Sequence, residues 1–201
     1  MRLLKTVFHP DVSPGDINPE SELTLVVRHA ARGIVIEGEN ILLLYTERYH
    51  DYSLPGGGID EGEDFVEGLK RELREETGAK NVRNVKPFAR YDEYRPWYKP
   101  TADIIHMISH CYVCDIDREL GKTALEPYEL NNGMKPLWVN IYEAIAHNDI
   151  VIANSDKKGL SVERETFLLK VIAEEWVAGQ PGTSASERSA SVGLGSAELF
   201  K

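Results

Sequence analysis

The stretch GGGIDEGEDFVEGLKRELREETGA, residues 56–79, sets eight acids (Asp60, Glu61, Glu63, Asp64, Glu67, Glu72, Glu75, Glu76) against three bases behind a run of three glycines. Its middle has the marks of a helix. Asp64 with Glu67 three residues on makes a capping-box-like start, and Gly78 suits the position just past the end. Val66, Leu69 and Leu73 fall at i, i+3 and i+7, one apolar stripe to bury. Glu72, Glu75 and Glu76 are related by i+3 and i+4, so their carboxylates share one side at the edge of that stripe. Like charges at that spacing repel by about 0.2–0.5 kcal/mol per pair. Two readings follow: a solvated acidic face interleaved with Lys70, Arg71 and Arg74, or a site for a divalent cation. Hard oxygen ligands suit Mg²⁺ or Mn²⁺, and Mg²⁺ is usually completed by waters and substrate phosphates.

Outside this stretch the chain has ordinary globular composition. Its 201 residues suffice for one domain with a sizeable core and no disulfide or structural metal. The formal net charge is −10, which argues against a general nucleic-acid or membrane-surface binder. An anionic small substrate would need local positive charge, and a metal ion can supply it. No apolar run approaches the ~20 residues of a membrane span. MRLLKTVFHPDVSPGD lacks a secretory pattern, so a cytoplasmic location is expected. Cys111 and Cys114 lie three apart on an apolar strand, so they point to opposite faces and read as buried thiols.

Residues 1–23, with Pro10, Pro14, Gly15 and Pro19, read as an N-terminal arm holding at most the short strand LLKTVF. Residues 24–177 read as the domain. LTLVVRHAARGIVI and NILLLYTER are two strands joined by the turn Glu37-Gly38-Glu39-Asn40. Strands follow around 82–91 and 104–114, separated by YDEYRPWYKP; residues 115–136 form a loop. PLWV is a short strand, Asn140 with Glu143 caps a brief helix IYEAIAHN, and Ser161 starts a last helix to about Val177. Residues 178–201, biased to Gly, Ser and Ala, read as a flexible tail.

Gly57, five residues, Glu63, seven residues, Arg71-Glu72-Leu73, one residue, Glu75-Glu76, one residue, Gly78-Ala79 matches the Nudix box at all nine specified positions over 23 residues. RHAARGIVI, LLLY, LPGGG and LWVNIYEA resemble the rest of that fold, so the likeness covers roughly residues 24–177. On these residues the chain resembles the Nudix hydrolase family. The resemblance implies an α/β/α sandwich with a mixed β-sheet and a loop–helix–loop catalytic motif. It implies hydrolysis of a nucleoside diphosphate linked to another moiety. Divalent ions would offset the diphosphate charge, lower the pKa of a bound water and align it with the leaving group.

Carried over by position, Glu72, Glu75 and Glu76 would hold Mg²⁺ (or Mn²⁺), with the Gly56 carbonyl as a backbone ligand. Glu63 and Arg71 would pair to orient loop and helix, with Glu63 near enough to reach metal through water. The family's base usually lies on a variable loop outside the box; Glu126 and Glu129 are candidates, Glu129 the better, and Glu75 is an alternative. Arg28 and Arg32, four apart on one strand, share a face and could reach a phosphate. Arg90, Arg95 and Lys99 frame an aromatic segment in which Tyr91, Tyr94, Trp97 and Tyr98 could stack on a base, Tyr94 and Trp97 being favoured. His106 and His110 share a strand face with Tyr112 and read as core or ion-paired. The expected partner is a nucleotide-type small molecule, a nucleoside triphosphate (oxidised forms included) or a nucleoside diphosphate sugar such as ADP-ribose. No nucleic acid or membrane is expected; a homodimer is an open expectation. The competing reading is a non-catalytic Nudix module that binds a nucleotide and regulates a partner.

Overall fold

The computed structural model describes residues 1–156, 159 and 161–178. Apart from Ala178, the expected tail lies outside the described residues. The elements run β1 (Arg2–Phe8), β2 (Leu25–Ile34), β3 (Ile36–Glu37), β4 (Asn40–Thr46), β5 (Asp51–Ser53), α1 (Phe65–Thr77), β6 (Arg83–Pro96), β7 (Ile104–Asp115), α2 (Pro127–Asn131), β8 (Met134–Asn140), α3 (Ile141–Asn154) and α4 (Val162–Ile172). One sheet has the order β1-β6-β7-β2. Its central pair is antiparallel and its outer strands join parallel. In the other, β8 runs antiparallel along β4 while β3 and β5 share the opposite side.

The β4 sequence ILLL explains the layering. Ile41 and Leu43 bury against Ile141, Leu168 and Leu169 of α3 and α4, whereas Leu42 buries against Leu69 and Leu73 of α1. A continuous apolar run belongs to a strand covered on both faces, because successive side chains alternate between the two covers. The first sheet follows the same rule: Ile34 and Cys111 face α4, and Ala31 and Cys114 face α1. The architecture is an α/β/α sandwich with the β layer divided into two sheets. Both cysteines are free and buried, and burial pushes each thiol up to about 12, so neither is a nucleophile at neutral pH.

Four local expectations change, the first being that residues 115–136, expected to form a loop, hold α2 and the start of β8. The two strands expected to be joined by the 37–40 turn separate into different sheets, since β2 runs parallel to β7 in register from Leu25↔Ile104 to Ile34↔Val113. Only the short β3 forms the hairpin with β4. The segment expected to connect residues 91 and 104 is largely strand, because β6 pairs with β7 from Tyr91↔Ser109 through Pro96↔Ile104. The helix capped by Asn140, whose side chain accepts from Tyr142 N and Glu143 N, continues to Asn154. Its buried Asn148 accepts from Tyr52 N and donates to Tyr52 O, both at 2.9 Å, so one side chain serves β5 as a missing strand neighbour. Among the described residues no helix is long and apolar enough to cross a membrane.

Candidate active site

The box helix α1 begins where Asp64 Oδ1 accepts from Val66 N and Glu67 N at 2.9 and 3.2 Å. It ends at Gly78, which is left-handed at φ 71° and donates to the Leu73 and Arg74 carbonyls. Glu67 does not complete a capping box; its carboxylate bonds Lys70 at 2.8 Å. Burying Leu69 and Leu73 leaves Glu72, Glu75 and Glu76 along the edge of the packed face, and Glu76 is only 5% exposed.

Arg71 ties the loop to the helix. Its Nε and one terminal nitrogen each donate to a different oxygen of Glu63 at 2.9 Å, and the same nitrogen donates to the Gly58 carbonyl at 3.0 Å. The other terminal nitrogen reaches Glu72 at 2.7 Å and Glu75 at 3.3 Å. This fork holds the Glu63 carboxyl well below the usual carboxylate range, chiefly through its hydrogen bonds. An ammonium cannot reproduce a planar two-pronged contact. Arg71→Lys is therefore expected to lower kcat/KM by about 10–100-fold in a steady-state assay, because the fork that fixes the loop on the helix is lost.

Gly56 sits between the helix and β2. Its N–H donates to Glu76 Oε2 at 2.5 Å, and its carbonyl accepts from an Arg32 terminal nitrogen. The Gly loop is laced to the edge of β2 by Ala31 N to Gly57 O at 3.0 Å and Gly33 N to Pro55 O at 2.8 Å. A side chain at Gly57 would meet the Glu72 carboxylate at 2.6 Å, so the glycine makes room for that acid. Burial pushes Glu76 up to about 8; Arg32 and the Gly56 N–H oppose this, while Glu72 and Glu129 add to it. Burial likewise raises Glu72, against the pull of Arg71.

Glu129 is brought to Glu76 by a stitched loop. Gly121 N donates to Gly78 O and Ala124 N to Glu75 O, both at 2.7 Å, which fastens the segment before α2 onto the end of α1. Glu129 is 5% exposed; its two oxygens accept from Glu126 N at 2.7 Å and from the Tyr128 hydroxyl at 2.9 Å. Glu126 stays exposed at the rim. From the opposite side, Glu165 of α4 accepts from Leu54 N at 3.0 Å and pairs with the buried Arg164, which also pairs with Glu93.

These groups line a cavity of about 920 Å³. Glu72, Glu75, Glu76, Glu126 and Glu129 are on it, with Gly56, Arg71, Arg28 and Arg32. Glu63 lies behind Arg71 and does not border it. Nor do Tyr94 and Trp97. Tyr94 falls on the other face of β6, stacked between Phe8 at 4.9 Å and His106 at 4.1 Å. It does so because the segment is strand through Pro96 and strand parity decides its side. Trp97 braces its own turn through Thr101 and Tyr98. His106 pairs with Asp92 at 3.1 Å and His110 with His29 at 3.1 Å, on that same far face.

Sequence reasoning missed Asp51, Arg164 and Glu165, which also line the cavity. Burial and the Glu165 carboxylate push Asp51 up to about 6. Arg164 and Glu165 look like a solvated pair on a terminal helix, and no spacing signals their burial. Arg95 and Lys99 carried a weak signal as the frame of the aromatic segment.

Whether these residues suit a metal can be tested on the donors themselves. Among the described residues no three His, Cys, Asp or Glu side chains converge closely enough to hold an ion as they stand. Arg71 draws Glu72 and Glu75 to itself, and the Gly56 N–H holds Glu76. The donor chemistry nonetheless fits a hard divalent cation: all ligands are oxygen, and a carboxylate as buried as Glu76 is under-compensated. Binding would require the Arg71 contacts to Glu72 and Glu75 to open, with the Glu63 fork left intact.

Comparisons with known proteins give the family of the chain. An RNA pyrophosphohydrolase of Bartonella quintana is 43% identical over 53 residues, 26% of this chain and 27% of that protein. One of Pelagibacter ubique is 32% identical over 71 residues, 33% of this chain and 44% of that protein. The chain thus spans between about a quarter and under half the length of these curated relatives. The crystal structure of a MutT NUDIX hydrolase from Burkholderia pseudomallei superimposes with a TM-score of 0.48 at 15% identity, over 71% of this chain and 97% of that one. The family model of the NUDIX domain matches residues 27–161, from the cavity-lining strand β2 to the N-cap of α4, and with well over half of its length matched the chain belongs to the Nudix family.

Proposed function

We propose that the protein is a Mg²⁺-dependent hydrolase of a phosphoanhydride bond in a nucleotide-type substrate, with Mn²⁺ as an alternative ion. The reading rests on one observation: Glu72, Glu75, Glu76 and Glu129 border the same cavity as Arg28 and Arg32. Acids alone would repel a diphosphate, and arginines alone would only bind it. Held by Glu72, Glu75, Glu76 and the Gly56 carbonyl, the ion would offset phosphate charge and activate water. Arg32 and Arg28 would grip phosphate oxygens on the β2 side. Glu129 accepts the proton as the water oxygen bonds to phosphorus; the P–O bond to the bridging oxygen breaks, and that oxygen leaves on the departing phosphate. Tyr128, donating to Glu129, keeps the carboxylate oriented.

Candidate substrates are nucleoside triphosphates and nucleoside diphosphate sugars, and the names of the curated relatives add RNA to the set. Incubation of the chain with such a panel and Mg²⁺ or Mn²⁺, read by mass spectrometry, identifies substrate and products together. Nucleotide binding with no cleavage under either ion would turn the reading to a regulatory binding module. The intact box acids oppose that alternative. Glu129→Gln is expected to lower kcat by about 10²-fold with KM changed little. If kcat is unchanged, Glu75 becomes the base to test.

A further inference from the structure

Arg95 is a half-buried arginine on the wall of the cavity, and among the described residues its guanidinium makes no hydrogen bond and no ion pair. Its neighbour Arg164 is held by Glu93 and Glu165, so the nearby acids are already engaged. Lys99 borders the same wall and pairs with no acid among the described residues, whereas the Arg28 guanidinium lies back at Gly58 of the Gly loop. A chain of net charge −10 has therefore left one side of its cavity cationic and unpaired. Burial lowers the Arg95 pKa, and the nearby Glu93 carboxylate offsets this only in part.

The strand register shows how far this wall is from the acids. On the cavity face Arg32 lies in line with Cys111, Arg28 with Met107 and Val26 with Ile105; Ile105 in turn pairs with Arg95. Arg95 is thus six residues along and two strands across from Arg32, roughly 20 Å between backbone positions. Arg28 lies between them. A chain of two or three phosphates anchored beside Arg32, Gly56 and Glu76 falls short of that span, and a nucleoside must fill the interval.

Resting on the phosphoanhydride-hydrolase reading above, we infer that Arg95, with Lys99 beside it, receives a second phosphate carried on the nucleoside end of the substrate, remote from the scissile anhydride. A guanidinium fork matches phosphate oxygens bidentately, which makes Arg95 the specificity-determining member. The preferred substrate class is then a nucleotide bearing an additional 3′-phosphate, as a free monoester or as a diester to a second nucleotide.

The test is calorimetric and needs no turnover. Full-length protein is titrated with a nucleoside 3′,5′-bisphosphate and with the matching 5′-monophosphate, alongside Arg95→Gln and Arg95→Lys. Wild type is expected to bind the bisphosphate at least about tenfold more tightly, a ratio that collapses in Arg95→Gln and survives in part in Arg95→Lys. Taking the ratio within one protein cancels any general loss of folded material. A 5′-phosphorylated dinucleotide then separates the sources: a retained preference assigns the diester, a lost one the monoester. Equal binding of bisphosphate and monophosphate by wild type overturns the inference. So does a ratio untouched by Arg95→Gln. In either case hydrolysis of the plain nucleotide panel leaves the hydrolase reading standing; if neither ligand binds and nothing is cleaved, both fall together.

Discussion

Glu76→Gln is expected to abolish measurable turnover, a loss on the order of 10³-fold or more in kcat, while making the metal-free protein more stable at alkaline pH. The first effect follows if Glu76 is a ligand, since charge stabilisation by such an ion contributes several kcal/mol at the transition state and each tenfold in rate is about 1.4 kcal/mol. The second follows from burial. The folded pKa of Glu76, about 8, is raised above its ordinary 4.5, so between those values the native state keeps a proton that the unfolded chain has released. Stability from this group is full below 4.5 and is lost as pH rises through 8. Glutamine mimics the protonated acid at every pH, keeps an acceptor for the Gly56 N–H, and should flatten that slope.

Thermal unfolding in chelator from pH 5 to 9 checks the second effect, with a higher Tm for the variant at the upper end. Asp51, pushed up to about 6 from 3.8, imposes a similar slope at lower pH in both proteins and serves as an internal reference. Added Mg²⁺ should stabilise wild type and not the variant, because an ion stabilises only the state that binds it. Unchanged turnover in Glu76→Gln would end the metal-hydrolase account. A variant less stable than wild type at pH 9 would mean that Glu76 is compensated in the free protein.

Gly56→Ala is expected to cost about 3–5 kcal/mol of stability, read as a lowered urea midpoint, and to take activity with it. The backbone at Gly56 has φ 128°, and an added methyl would lie 2.1 Å from the Ala31 carbonyl oxygen. Backbone strain of about 1–3 kcal/mol and a steric clash of similar size add here, because the obstacle is the main chain of β2 and cannot rotate away. Relief requires the Gly loop to leave the edge of β2, which breaks the Ala31–Gly57 and Gly33–Pro55 hydrogen bonds and moves the Gly56 N–H off Glu76. Gly38→Ala provides the contrast. Gly38 also has positive φ, 63°, but nothing lies within 4 Å of the added carbon, so only about 1 kcal/mol is expected. Equal costs at the two positions would refute the close-approach argument.

How much of the site was legible depended on the range of the interaction. The Glu63–Arg71 fork was implied only by the resemblance to the box, Glu63 lying before the helix, whereas the shared edge of Glu72, Glu75 and Glu76 was readable because a helix converts spacing directly into direction. Arg28 and Arg32 were readable as a pair for the same reason, through the period of two of a strand. The aromatic segment was misplaced: read as a loop, it allowed Tyr94 to turn toward a base, whereas five further residues of β6, 92–96, send Tyr94 to the far face and Arg95 into the cavity. Parity on a strand is settled by where pairing begins and ends, and that is decided by β7, not by the segment itself.

By itself the sequence determined the box helix with its caps, its apolar stripe and its acidic edge, the doubly covered strand β4, and the opposed burial of the two cysteines. Each is a consequence of local periodicity acting within a dozen residues. Only the tertiary structure decided that Glu129 stands beside Glu76, that Arg164 and Glu165 are buried behind the Gly loop, and that Arg95 makes no ion pair among the described residues. Those outcomes depend on hydrogen bonds made by the main chain between segments distant in sequence, from Gly121 and Ala124 to carbonyls at the end of α1 and from Leu54 N to the Glu165 carboxylate of α4. Hydrogen-bonding groups of the main chain are the same at every residue, so their pairing leaves no mark in the letters until the core has brought the segments together.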